Sequence, residues 1–380
     1  MASGERKKIN LAIVFGSRSP EHEVSIVSAL QALDWIDEQK YSPFLIYLDR
    51  ENQAFWCPPF KRGNHRNFIK QTLKKNRQLN FIKGGVEEKK LLRSRKMPID
   101  VALLIMHGAY GEDGRIQGLL DFYDIPYTSC GVLGSALGQD KVITKNILSS
   151  VGLPIIPYFW FWSKQFQKTP KLINKRIKSE KLSYPLFVKP AGAGSSVGVS
   201  RVVKAVDFAK AVLLAARYDN KIVVEQGLKG ALDINCAVMG GYNPEVSVCE
   251  QPIFDDQFLS FEEKYLKGGK TKGMAGLSRL VPAPIPNKTS QKIQEMALKA
   301  FSCLNCWGMV RVDFLYEKKT GAVYINEVNT IPGSLSFYLW QASGLAPEKM
   351  IDRLVKLAQE KARQTNSLSY SFDNPLLDQK

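Results

Sequence analysis

The chain has 380 residues, 44% of hydrophobic type and 10% aromatic, which is enough apolar material for two or three packed cores and excludes a disordered chain. Fifty-three Lys and Arg against 36 Asp and Glu leave a net charge of +17, a balance that invites a nucleic-acid or acidic-membrane reading. The excess is local: residues 61–96 hold 13 basic and 2 acidic side chains and residues 164–181 hold 7 and 1, so the remaining chain is electrically balanced.

In chain order, Ile9 to Phe15 is apolar and β-branched, Gly16 breaks it, and Glu21 to Leu33 carries a helical apolar period. Phe44 to Leu48 reads as a second strand. Residues 61–96 lack zinc ligands and a recognition-helix pattern and contain only two phenylalanines, so they read as a solvated, partly mobile insertion rather than a nucleic-acid grip. Val101 to Met106 is another buried strand, followed by a loop and helix in HGAYGEDGRIQGLLDFYDIPY. Alternating strands and helices predict a parallel sheet with a binding crevice at its strand ends. A helical link, Ser135 to Val151, carries Asp140 and Lys141 and is stopped by Pro154 and Pro157. Pro185 to Lys189 is a strand running into the glycine-rich PAGAGSSVGVSRV, and Ile222 to Glu225 reads as a strand leaving at an edge. Strand signals follow at Leu232 to Met239 and Glu245 to Gln251, then a glycine-rich stretch, KYLKGGKTKGMAG, and a hairpin turning near Gly321.

No segment reaches the roughly 18 to 20 apolar residues that span a bilayer, and the charged start leads straight into a strand-like run, so a cytoplasmic location is expected. The aromatic run Tyr158 to Trp162 reads as a packed strand rather than a membrane anchor. Six cysteines are too sparse for a disulfide framework, and Cys303 with Cys306 reads as a packed helix face, since no second pair supports a metal site.

The strongest chemical constellation is the hairpin. Residues two apart on a strand face one side, so Glu327 projects with Asn329, and Arg311 with Asp313 on the partner strand. Two carboxylates and an amide are hard oxygen donors suited to Mg²⁺, with Mn²⁺ as an alternative; alone, they would read as a surface salt-bridge ladder. The glycine-rich run after Lys189 can present backbone N–H groups to phosphate oxygens. It lacks the order of a P-loop, and no G-x-G-x-x-G opens a helix after the first strand.

EHEVS at 21–25, HGAYGEDGRIQG at 107–118, DK at 140–141, FVKPAGAGSSVGVS at 187–200, EKYL at 263–266, RVDF at 311–314 and INEVNTIPG at 325–333 stand in one order. In that order and spacing the sequence resembles the D-alanine–D-alanine ligases of the ATP-grasp superfamily, from Phe15 to about Gly344, and most weakly in the two basic segments. The resemblance implies an α/β chain in three units. These are an N-terminal parallel α/β domain at 1–134, a central subdomain with a glycine-rich lid at 135–228, and a C-terminal subdomain with the metal site at 229–380; the last two sandwich ATP. It implies an ATP-consuming carboxylate–amine ligase that works through an acyl phosphate, a homodimer, and a place in peptidoglycan precursor synthesis.

By motif position the resemblance puts Lys141 and Lys189 on the α- and β-phosphates, with Gly194, Ser195 and Ser196 in the lid. Lys264 goes on the γ-phosphate, Glu225 and, less directly, Asp233 at adenine and ribose. It assigns Asp313, Glu327 and Asn329 to two Mg²⁺ ions, and Arg311 and the Gly333 N–H to the oxyanion. His107 falls at the acyl phosphate. Glu23 orients the first amino acid's ammonium together with Ser195 and Tyr265, leaving Glu21 as a helix N-terminal acid.

The chain departs from the family after Gly333. A serine five residues on grips the second substrate's carboxylate in the usual pattern, and here that position is Tyr338. Acceptor binding then falls to Tyr338, to Ser334 or Ser336, or to something else. Lys264 and Tyr265 resemble the dipeptide-forming members, which favours an amine acceptor. Two rivals stand beside this reading: a ligase of the same fold with another D-amino acid or peptide acceptor, and a basic binding protein on this scaffold without turnover.

Overall fold

The structure, a computed structural model, describes residues 7–58, 65–75, 77–89, 93–253 and 278–370, with the side chains of 65–67 and 89 excepted. The described residues form three sheets. The first contains β1 (Ile9–Gly16), β2 (Tyr41–Leu48), β3 (Ala54–Cys57), β4 (Gln78–Ile82), β5 (Gly85–Lys89), β6 (Ser94–Pro98) and β7 (Val101–Ile105) in the order β6-β5-β4-β3-β2-β1-β7. β1 runs parallel to both β2 and β7, with α1 (His22–Leu33) as the crossover. Leu11 to Phe15 and Val101 to Ile105 are buried on both faces, which is why they read as unbroken apolar runs.

Beyond β2 the sheet turns antiparallel. Here the structure corrects the expectation of a mobile insertion: where it is described, the basic segment forms α2 (His65–Lys75) and then β4, β5 and β6, which extend the sheet. Its strands bury Leu79, between exposed Gln78 and Asn80, and Val86. The outermost strand, β6, exposes Arg95 and Lys96, charges that discourage pairing with another chain.

After α3 (Arg115–Phe122), the expected single link is two helices, α4 (Val132–Gln139) and α5 (Lys141–Ser150). Asp140 breaks them, because its carboxylate accepts the N–H groups of Val142 and Ile143 and so caps α5. The second sheet comprises β8 (Tyr158–Trp162), β9 (Leu186–Pro190), β10 (Ser200–Val202) and β11 (Lys221–Gln226) in the order β10-β9-β11-β8. β11 is hydrogen-bonded on both sides, to β8 and β9, so the strand expected at an edge is interior.

The third sheet is antiparallel throughout: β12 (Leu232–Gly240), β13 (Glu245–Pro252), β14 (Arg279–Leu280), β15 (Gly308–Glu317) and β16 (Ala322–Asn329), in the order β14-β13-β12-β15-β16. Helix Asn287–Cys303 packs on it; Cys303 ends this helix, Cys306 lies just beyond, and all six cysteines are free thiols. Helix Pro347–Asn366 returns to the first sheet, and its Met350, Ile351, Leu354 and Val355 join the core of β1 and β7. The same core takes in Ala237 and Met239 of β12 and Met309 of β15.

Candidate active site

Residues from the second and third sheets, and from α1 and the loop after β7 beside the first sheet, line one cavity of about 250 Å³. At one end Glu225 of β11 is 1% exposed and holds two ammonium groups, Lys145 Nζ at 3.1 Å and Lys189 Nζ at 2.6 Å. Lys189 stands on β9 one diagonal step from Glu225, and Lys145 reaches in from α5. Burial opposes the charge on Glu225, yet the two lysines overcome it and hold the carboxyl at about 2. Burial pushes Lys145 down, whereas Lys189, despite its burial, is held up by Glu225 and Glu327. A third ammonium, Lys141, donates to the Ala193 carbonyl at 2.6 Å and lies 3.7 Å from Glu327. Three cations around two carboxylates leave an excess of positive charge, which suits a polyphosphate.

The hairpin brings its four polar side chains together as the two-residue spacing requires. Asp313 stands opposite Glu327 and Arg311 opposite Asn329. Arg311 clasps Asp313 with Nε at 2.6 Å and Nη2 at 2.7 Å, and Asn329 donates to Asp313 Oδ2 at 3.0 Å. Burial, followed in effect by Arg311 pulling the other way and Glu327 adding repulsion, leaves the Asp313 carboxyl above its ordinary range. Two carboxylates facing each other across one register fit a divalent cation, which relieves that repulsion. Among the described residues no three or more His, Cys, Asp or Glu stand together as a metal group; the Asn329 amide lies beside the two carboxylates.

The third wall comes from the start of α1 and the loop after β7. Glu21, at the N-terminus of α1, accepts a hydrogen bond from Ser195 Oγ in the glycine-rich loop. A Cβ on Gly194 would lie 2.6 Å from Glu21 Oε2, and one on Gly108 2.5 Å from the same atom, so these two glycines admit the carboxylate. His107 is held between the Ile331 carbonyl at 2.9 Å and Ser28 Oγ at 3.1 Å. Burial pushes it down to about 4, leaving a neutral imidazole. Glu112 accepts the N–H groups of Gly108 and Ile331, both at 2.8 Å, and ties the first sheet's loop to the residues after β16.

The family descriptions "D-ala D-ala ligase N-terminus" and "D-ala D-ala ligase C-terminus" match residues 10–130 and 147–356. The chain belongs to the D-alanine–D-alanine ligase family. A D-alanine–D-alanine ligase of Ruminiclostridium cellulolyticum is 40% identical over 373 residues, spanning 94% of this chain and 97% of the relative. One from Thermosipho africanus is 38% identical, spanning 98% and 99%. Among solved structures, the D-alanine–D-alanine ligase of Coxiella burnetii superposes with a TM-score of 0.77 at 26% identity, over 95% of this chain and 97% of that one. The VanG D-Ala:D-Ser ligase of Enterococcus faecalis gives 0.77 at 28%, over 93% and 100%. These neighbours are ATP-grasp ligases, and the mixed α/β architecture described above is theirs.

Against that family pattern, the cavity gathers His107, Lys141, Lys189, Ser195, Ser196, Glu225, Asp233, Arg311, Asp313, Glu327, Asn329, Gly333 and Tyr338. Lys264 and Tyr265 lie outside the described residues. Two expectations change. Glu23 is exposed and pairs with Arg50 at 2.6 Å, whereas Glu21 is buried in the cavity: positions 21 and 23 lie about 200° apart around a helix, so only one can face inward. Ser334 and Ser336 are buried beneath the turn after Gly333 and do not line the cavity. Glu225, expected at adenine and ribose, lines the cavity with its carboxylate on Lys145 and Lys189. Lys145 stands in no motif, although its place four residues after Lys141 puts both on one face of α5. Glu112, Glu250 and Arg279 carry no comparable signal.

Proposed function

We propose that this protein joins two D-alanines into D-alanyl-D-alanine with ATP, supplying peptidoglycan precursors in the cytoplasm as a homodimer. The supporting observation is that the lysine cluster, the hairpin carboxylates and the Glu21–Ser195 contact share one cavity. Units of 1–134, 135–228 and 229–380 accommodate this, with the cavity at their junction.

In the first step an oxygen of the donor's carboxylate attacks the γ-phosphorus, the bond to ADP breaks, and an acyl phosphate forms. Lys141 and Lys189 hold the phosphates, positioned by Glu327 and Glu225; Lys264 takes the γ-phosphate and Asp233 the ribose. Divalent ions held by Asp313, Glu327 and Asn329 would neutralise charge on the phosphoryl oxygens. Glu21 takes the donor's ammonium, with Ser195 and Tyr265 beside it. Gly194 to Ser196 cover the acyl phosphate and exclude water, while neutral His107 lies against it.

In the second step the acceptor's amine attacks the acyl carbonyl. The tetrahedral oxyanion forms against Arg311 and the Gly333 N–H, the nitrogen loses a proton, and phosphate leaves. With ATP, Mg²⁺ and D-alanine, the protein should release one ADP and one phosphate per dipeptide, and D-lactate supplied alongside should yield little ester at neutral pH. No phosphate release across a panel of D-amino acids, or mainly ester product, would overturn this reading.

A further inference from the structure

An acceptor amino acid brings a carboxylate into the cavity together with the amine that reacts, and a carboxylate taken out of water requires a cation or several donors. Four cationic side chains line the cavity among the described residues: Lys141, Lys189, Arg279 and Arg311. The two lysines stand at the phosphate end, and Arg311 is clasped bidentately to Asp313. Arg279 comes from β14, on the far side of the third sheet, and its guanidinium carbon lies 3.6 Å over the ring of Tyr338.

Tyr338 occupies the position where a family serine would offer a hydroxyl, yet its own hydroxyl donates to Glu250 Oε1 at 2.7 Å. Burial, reinforced by Glu250, raises the phenol's pKa, so it keeps that proton. Glu250 is 1% exposed and also accepts from Asn235 Nδ2 at 3.0 Å and from Arg279 Nη1 at 3.3 Å. The carboxylate and ring thus form a fixed seat for the guanidinium.

We propose that Arg279, seated on Tyr338 and anchored by Glu250, takes the acceptor's carboxylate in place of the serine hydroxyl. The inference rests on the ligase reading above. A guanidinium fork matches a carboxylate in two parallel bonds, and stacking on an aromatic face holds the fork's plane.

The test is steady-state kinetics in which D-alanine is varied to resolve donor and acceptor KM, with ATP KM measured separately. Arg279→Ala should raise acceptor KM about 30-fold, as expected for a lost charge-assisted pair, with donor and ATP KM moving less than about threefold. Arg279→Lys keeps the charge but loses the fork, and should fall between wild type and Ala. A folded Arg279→Ala with acceptor KM unmoved, or with ATP KM shifted equally, overturns the proposal. If Arg279→Ala fails to fold, Arg279→Lys decides, and an unchanged acceptor KM overturns the proposal. A wild-type protein inactive with every D-amino acid instead fails the ligase reading, so the two failures are distinguishable.

Discussion

Among the described residues, every charged side chain at the phosphate end of the cavity comes from a strand or from the first turns of α5, whereas at the amino-acid end the chain turns through left-handed backbone. Ser195 and Ser196 have φ of 47° and 60°, and Ser334, Leu335 and Ser336 have 48°, 51° and 46°. Non-glycine residues in that region carry strain and persist where surrounding contacts hold them. The phosphate end is therefore a rigid arrangement of charge on registered strands. The amino-acid end depends on two strained turns meeting α1, and substitutions should act on chemistry at the first end and on substrate affinity at the second.

The largest effect belongs to the hairpin. Glu327→Gln removes one of the two facing carboxylates and should lower turnover about a thousandfold or more, the scale of losing a preorganised charge at a phosphoryl-transfer site. Thermal unfolding should change by only a few degrees, because Glu327 is 30% exposed. Phosphate release and a melting curve check both, and retained turnover would show the metal donors to be elsewhere. Next is Glu225→Gln. Lys145 and Lys189, 1% and 12% exposed, would lose their shared carboxylate, and breaking a buried pair of this kind costs about 3–5 kcal/mol. Denaturant titration should show that loss; a stability change under about 1 kcal/mol would mean water reaches the lysines and the network is less buried than it looks.

The same contrast explains what the sequence could and could not convey. Strand periodicity brought Arg311, Asp313, Glu327 and Asn329 to one face, and β15–β16 pairing delivers that face intact, because alternation is a local rule that tertiary packing rarely overrides. Lys189 and Glu225 were legible through the motifs around them, but not their mutual contact, which depends on β11 being interior. Residues 61–96 misled because basic composition resembles a solvated loop, while their alternation places Leu79 and Val86 in the core. Arg279, Glu250 and Tyr338 lie on three separate elements, and nothing local announces that they meet.

Smaller effects separate Glu21 from Glu23. Glu21→Gln exchanges a charge-assisted partner for a neutral one, so donor KM should rise roughly 10- to 100-fold, matching about 1.5–3 kcal/mol for a hydrogen bond to a charged group. Glu23→Gln breaks an exposed pair with Arg50, both more than half exposed, and should leave donor KM and stability nearly unchanged. Equal effects from the two substitutions would return Glu23 to the site and dissolve the distinction between the buried and exposed acids.

The smallest effect concerns Glu112, which joins the two turns. Burial, and next the nearby Glu21, push its carboxyl up to about 8 from an ordinary 4.5. Between those values the folded protein holds a proton that the unfolded chain releases. The stabilisation is therefore complete below about 4.5 and is lost as pH rises through about 8. His107 acts oppositely and lower: with its imidazole pushed down to about 4 from 6.5, it costs stability as pH falls through that interval. Above about pH 6.5 the histidine is neutral in both states, and Glu112 alone of the two sets the slope. Denaturant titrations from about pH 6.5 to 8.5 should show wild-type stability declining. Glu112→Gln should start lower, since an amide replaces an acceptor of the Gly108 and Ile331 N–H groups, and should decline less. Parallel slopes would mean that Glu112 is already ionised in the folded protein, and that the amino-acid end carries one more negative charge than its burial permits.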